Sequence, residues 1–115
     1  MKYPEAENFC VARGYRLVEI YCQNQQDFIV EKCTKIGAGP SQVDFWIGLK
    51  RTQGTSIWKW LDSDVIPEFT AWYGTDPHNG DNELLAVAYK KSSYKWVDFH
   101  KQNYFNGFPI CQKLN

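Results

Sequence analysis

Four cysteines, at positions 10, 22, 33 and 111, constrain this chain of 115 residues more than any other feature. No two of them form a CxxC pair, so the spacing argues against a structural zinc site. An even count in a small aromatic-rich chain predicts two disulfides and an oxidising compartment, with buried cytosolic thiols as the competing reading. Four cysteines allow three connectivities, and spacing alone does not choose among them.

The length suits one domain, able to bury roughly 65% of its unfolded surface around one core. Hydrophobic residues make up 43% and aromatic residues 17%, the composition of an ordered fold. Thirteen basic and thirteen acidic residues give zero formal net charge, which removes the electrostatic case for nucleic acid or an anionic membrane. No apolar run approaches the ~20 residues of a membrane span, and no signal peptide is recognisable.

Pro4 as a first-turn residue and Gly14 as a stop predict a helix over 4–13, with Cys10 facing inward. YRLVEIYC (15–22) reads as a strand. A second helix follows, capped by Gln23 or Asn24, with Ile29, Cys33 and Ile36 on one face and Gly37 closing it. GAGPSQ (37–42) is a loop. DFWIGLK (44–50), IWKWL (57–61), LLAVAYK (84–90), YKWVDFH (94–100) and GFPICQK (107–113) are strand candidates, with KSS turning between the third and fourth. Residues 62–82, with two prolines, two glycines and many acids and amides, form a segment too long and irregular for a plain connector. Helices first and strands afterwards indicate an α+β fold with an antiparallel sheet.

At this point the motifs resemble a known family, the C-type lectin-like domain. YPEAENFC (3–10) is similar to its first helix, and WIGL (46–49) is its central hallmark, intact. WKW (58–60) with Asp62, AWYGTDP (71–77), KWVD (95–98) and FPICQK (108–113) follow in the family's order. The resemblance therefore runs from Tyr3 to Lys113 as one domain, 1–115. It implies two helices and small antiparallel sheets with a long irregular loop region. It also implies a Cys10–Cys111 bond, which leaves Cys22 and Cys33 for each other. Eleven residues of straight helix span about 16 Å, so that second pair requires Cys22 to lie off the helix with the chain folded back. Two departures stand out. The family's second core disulfide, near Leu85 and Lys101, has no cysteines here, which leaves the long loop pinned mainly by packing. The family's first strand is missing too, so 107–113 is expected to present an edge through which a dimer could form.

The family binds calcium, and a sugar on it, through an acid or amide, a proline, a second amide or acid, a following glutamate and an Asn-Asp pair on the next strand. Carried onto this chain, those positions are Asp76, Pro77, His78, Glu83, Val97 and Asp98. Asp76, Glu83 and Asp98 keep carboxylates; His78 offers nitrogen and Val97 no side-chain oxygen. Calcium, as cofactor, is therefore expected to bind weakly, with Asn79, Asp81 and Asn82 as alternative oxygens. A vestigial, merely polar loop is the competing reading. His78 and His100 with Asp76 and Asp98 are the residues a zinc site would use, but their spacing matches no zinc motif. Tyr73, Tyr94, Tyr104 and Phe105 near the loop ends are candidates for stacking on a sugar or a protein, whereas Trp46 and Trp96 belong to the core.

These readings converge on a secreted or extracellular binding domain, not an enzyme. It would be a carbohydrate-recognition lectin acting through Tyr73, Asp76, His78, Asn79, Glu83 and Asp98, with weak calcium dependence. The alternative is a calcium-independent domain with a protein ligand.

Overall fold

The computed structural model describes residues 1–38, 43–80, 84–99 and 107–113. The first helix, α1, is Tyr3–Val11, two residues shorter at its end than the sequence predicts. Pro4 stands in its first turn, and the Lys2 backbone N–H donates to Glu5 Oε1 at 3.2 Å. Ala6 and Cys10, one turn apart, are its buried positions. Gly14, at φ +76°, then reverses the chain, a conformation that favours glycine.

The strand β1 covers only Tyr15–Leu17 of the eight residues predicted. The second helix, α2, runs Gln23–Ile36, and its N-cap is Cys22 rather than Gln23 or Asn24. Gln26, Ile29 and Cys33 form its buried stripe, which stops there: Ile36, predicted on the same face, is 71% exposed. Gly37 caps the end, its N–H donating to the Cys33 carbonyl at 2.8 Å.

The main sheet is built on β2, Asp44–Arg51. It pairs antiparallel with β3, Trp58–Trp60, in the register Leu49↔Trp60. On its other side lies β4, Leu85–Tyr89, in the register Trp46↔Val87. A short 3₁₀ turn, Lys90–Ser92, connects β4 to β5, Lys95–Phe99, which pairs antiparallel with β4 from Leu85↔Phe99 to Tyr89↔Lys95. The predicted strand 107–113 breaks at Ile110 into two. Gly107–Pro109 is β6, parallel to β2, and Cys111–Lys113 is β7, antiparallel to β1.

Alternation along the strands divides the core in two. Trp46, Val87 and Val97 lie with Ala6, Cys10 and Leu17. Ile47, Ala86, Ala88 and Trp96 lie with Ile29, Cys33, Trp58 and Trp60. Gly48 permits the close approach of β1: a Cβ there would stand 2.9 Å from the Leu17 carbonyl oxygen. Its N–H donates to the Val18 carbonyl at 2.8 Å.

Cys10 and Cys111 are disulfide-bonded, with Cα atoms 5.4 Å apart, joining α1 to β7. The expected Cys22–Cys33 bond is absent; both residues are free thiols, Cys22 exposed and Cys33 buried. The reason is the start of α2. Cys22 is its N-cap, so nearly the whole separation is helical, about 16 Å of rise against a disulfide Cα reach of about 7 Å.

Candidate ligand-binding site

The segment from Asp62 to Gly80 crosses the Trp96 side of the sheet. Trp96 meets the rings of Trp60, Phe69 and Trp72 edge-on, at 5.5, 6.0 and 5.8 Å between centroids. The backbone adds two bonds: Trp96 N–H donates to Ala71 O and Tyr73 N–H to Trp96 O, both at 2.9 Å. The segment is thereby fastened along β5, and its tip comes to rest against Asp98, two residues after Trp96 on the same face.

Asp98 is the centre of the tip. Its side chain is 1% exposed. Oδ2 accepts the Asn79 backbone N–H at 2.8 Å. Asn79, held at φ +57°, accepts through its own Oδ1 the Trp58 indole N–H at 2.9 Å. Arg51, buried at the end of β2, donates from one guanidinium nitrogen to Thr55 O at 2.6 Å and from another to Gly80 O. Three strands thus hold the loop tip by hydrogen bonds, where the missing second core disulfide led to the expectation of a loop pinned mainly by packing. Arg51 and Trp58 were overlooked as tethers. Trp58 reads as a core residue from its alternation, and no local pattern distinguishes Arg51 from an ordinary turn residue.

His78 lies between two carboxylates. Its Nδ1 is 2.7 Å from Asp76 Oδ1 and 3.9 Å from Asp98 Oδ1. One ligating atom from each of Asp76, His78 and Asp98 lies within 4.8 Å of the others. The imidazole is 64% exposed while the Asp76 side chain is 8% exposed, so the cluster reaches solvent at His78. Asp98 Oδ1 is buried with no hydrogen-bond donor among the described residues. The Asp76–Pro77 peptide bond is cis.

The other sequence candidates divide. Tyr73 is half exposed beside the cluster. Tyr94 is buried, 5.8 Å from the Phe45 ring, and is excluded from any contact surface. Val97 is buried with Trp46 and Val87, on the opposite side of the sheet from the cluster. Glu83, Asp81, Asn82, His100, Tyr104 and Phe105 lie outside the described residues.

Calcium requires six to eight oxygen ligands. Among the described residues, the side chains here supply two carboxylates and an imidazole nitrogen, and Val97 supplies nothing. That donor set does not fit a calcium cage.

A family model for the lectin C-type domain matches residues 1–113. The chain belongs to the C-type lectin domain family. It is 32% identical over 130 residues to layilin of Homo sapiens, a match covering 97% of this chain and 32% of layilin. Its fold matches the mouse scavenger receptor C-type lectin carbohydrate-recognition domain at a TM-score of 0.79 and 24% identity, covering 99% of this chain and 84% of that one. It also matches the Ca²⁺-independent C-type lectin SPL-2 from Saxidomus purpuratus at a TM-score of 0.77 and 23% identity, covering 96% and 77%. The chain spans 59% or less of the length of the first curated relatives it matches. The family holds carbohydrate-binding and calcium-independent members alike. Its members are in general binding domains, and no helix of the described residues is long and apolar enough to cross a membrane.

Proposed function

We propose that this domain is an extracellular recognition module for glycans. Its contact surface is formed by Tyr73, Asp76, His78, Asn79 and Asp98, and by Glu83 from its place in the sequence motif. The observation that carries this reading is Asp98 Oδ1, buried and without a donor among the described residues, in a cluster with Asp76 and the exposed His78. A sugar hydroxyl supplies a donor that Asp98 Oδ1 lacks among the described residues, and a charge-assisted hydrogen bond of this kind is stronger than a neutral one. The half-exposed Tyr73 ring offers a face for stacking. Asp76, Glu83 and Asp98 are the oxygens toward calcium. With His78 and Val97 at the remaining positions, calcium contributes weakly at most, in the millimolar range of other extracellular modules.

A second reading, a calcium-independent domain with a protein ligand, draws support from Val97, which removes an oxygen from the calcium motif. A glycan array probed with and without chelator separates the two. Binding to a defined sugar class supports the first reading. A blank array together with capture of a protein ligand by the intact surface, lost in Tyr73→Ala, supports the second.

A further inference from the structure

Among the described residues, two carboxylates and an imidazole do not make a calcium cage, but they suit an ion that takes fewer ligands. We infer that Asp76, His78 and Asp98 form a three-ligand site for zinc, with its fourth position open to solvent. The inference goes beyond the proposed function and does not require the ligand to be a sugar.

Ligand chemistry is the first argument. One imidazole nitrogen and two carboxylate oxygens suit a borderline ion that takes few ligands, whereas calcium takes many and only oxygens. In a tetrahedral zinc site with bonds of about 2.1 Å, neighbouring ligand atoms stand about 3.4 Å apart. Here His78 Nδ1 stands 2.7 and 3.9 Å from the two carboxylate oxygens, and one ligating atom from each of the three residues lies within 4.8 Å of the others. These values bracket the required edge, so shifts of about an ångström bring the three atoms into place.

Preorganisation is the second argument. Asp98 Oδ1 is buried and without a donor among the described residues, while its partner oxygen Oδ2 is held by Asn79 N–H. Asn79 is in turn held by the Trp58 indole. Hydrogen bonds behind a ligand orient it and are a regular feature of metal sites. The exposed flank of His78 leaves the fourth position accessible.

The test is calorimetric titration of the full chain with zinc chloride and, separately, with calcium chloride, at neutral pH. The expected result is one zinc per chain, bound at least about tenfold more tightly than calcium. His78→Gln weakens zinc at least about tenfold and leaves calcium unchanged, and Asp98→Asn abolishes the zinc response. Because Cys22 is an exposed thiol and a competing zinc ligand, Cys22→Ser is included and retains full zinc affinity. Cobalt(II) added to the unmodified chain gives a visible spectrum without sulfur-to-metal charge transfer. The inference is overturned by no saturable zinc binding below millimolar concentration, by full affinity in His78→Gln, by loss of zinc in Cys22→Ser, or by a thiolate band with cobalt. A blank glycan array leaves all these outcomes readable, so failure of the proposed function and of the zinc site are told apart.

Discussion

Asn79 and Asp98 are joined by a hydrogen bond of 2.8 Å from the backbone of the long segment to a buried carboxylate of β5. That contact converts a length of irregular chain into a positioned surface. It also explains why Asp76 and His78, three and one residues before Asn79, come to lie beside Asp98. Asp98→Ala leaves the Asn79 N–H without its acceptor, and a lost bond to a charged group costs about 1.5–3 kcal/mol. The expected outcome in urea denaturation is a loss at the low end of that range, since removing a buried carboxylate returns part of the cost. Any calcium- or zinc-dependent rise in melting temperature disappears with it. An Asp98→Ala chain that still melts higher in added metal ion would show that the ion sits elsewhere.

Trp58 contributes to the same surface through one atom. Its indole N–H donates to Asn79 Oδ1 at 2.9 Å, while its ring packs edge-on to Trp72 at 4.9 Å. Trp58→Phe keeps an apolar ring in the core and deletes the donor. Stability is expected to fall by about 1–3 kcal/mol, from the lost bond and the smaller ring. The specific outcome is faster amide hydrogen exchange at Asn79 and Gly80, with β2 and β4 unchanged. Uniform acceleration across the sheet would mean that Trp58 acts only through packing.

Gly107 is enclosed for a different reason. A Cβ at this position would stand 2.4 Å from Trp46 Nε1, the indole nitrogen that donates to Met1 O at 3.0 Å. The same glycine's carbonyl accepts the terminal ammonium of Met1 at 2.7 Å. Gly107→Ala therefore forces the fully buried Trp46 ring to move, and overpacking of this kind costs about 1–3 kcal/mol. Thermal denaturation checks the loss. A melting temperature within a degree of the parent chain would show that β6 shifts freely.

The parts of this fold that were legible in the sequence are those with a short period or a local signal. Alternation in IWKWL located β3, YKWVDFH read as the strand that holds β5, and the core place of Trp96 followed from the family resemblance. Pro4, Gly14 and Gly37 marked helix ends through their backbone preferences. Asp76, His78 and Asp98 were named from an ordered motif, and the chain brings all three together. What sequence could not supply was the contact between distant segments. Arg51 holds Gly80 across 29 positions, and nothing around either residue signals it. Tyr94 was a candidate for surface contact because it lies near a loop end, yet the residue buries its ring on Phe45. The Cys22–Cys33 pairing failed for a local reason that elimination overlooks: a helix starting directly after one cysteine carries the other beyond reach.

The cysteines provide the last prediction. A thiol reagent should modify one cysteine in the native chain, the exposed Cys22, and a second, Cys33, only after denaturation. The Cys10–Cys111 bond, spanning a separation of 101 residues, should contribute roughly 4–5 kcal/mol in the chain-entropy model, lost on reduction. Burial pushes the Cys33 thiol up to about 12. The folded state therefore keeps a proton that the unfolded chain, with a thiol pKa of about 8.5, gives up. This contribution to stability is complete below about pH 8.5 and declines as pH rises toward 12. Cys33→Ala removes the titrating group, so its stability should fall less steeply than that of the parent chain over that interval, from a lower starting value set by the cavity. Parallel slopes in denaturant titrations at a series of alkaline pH values would mean that Cys33 is not a buried thiol, and would reopen the question of its partner.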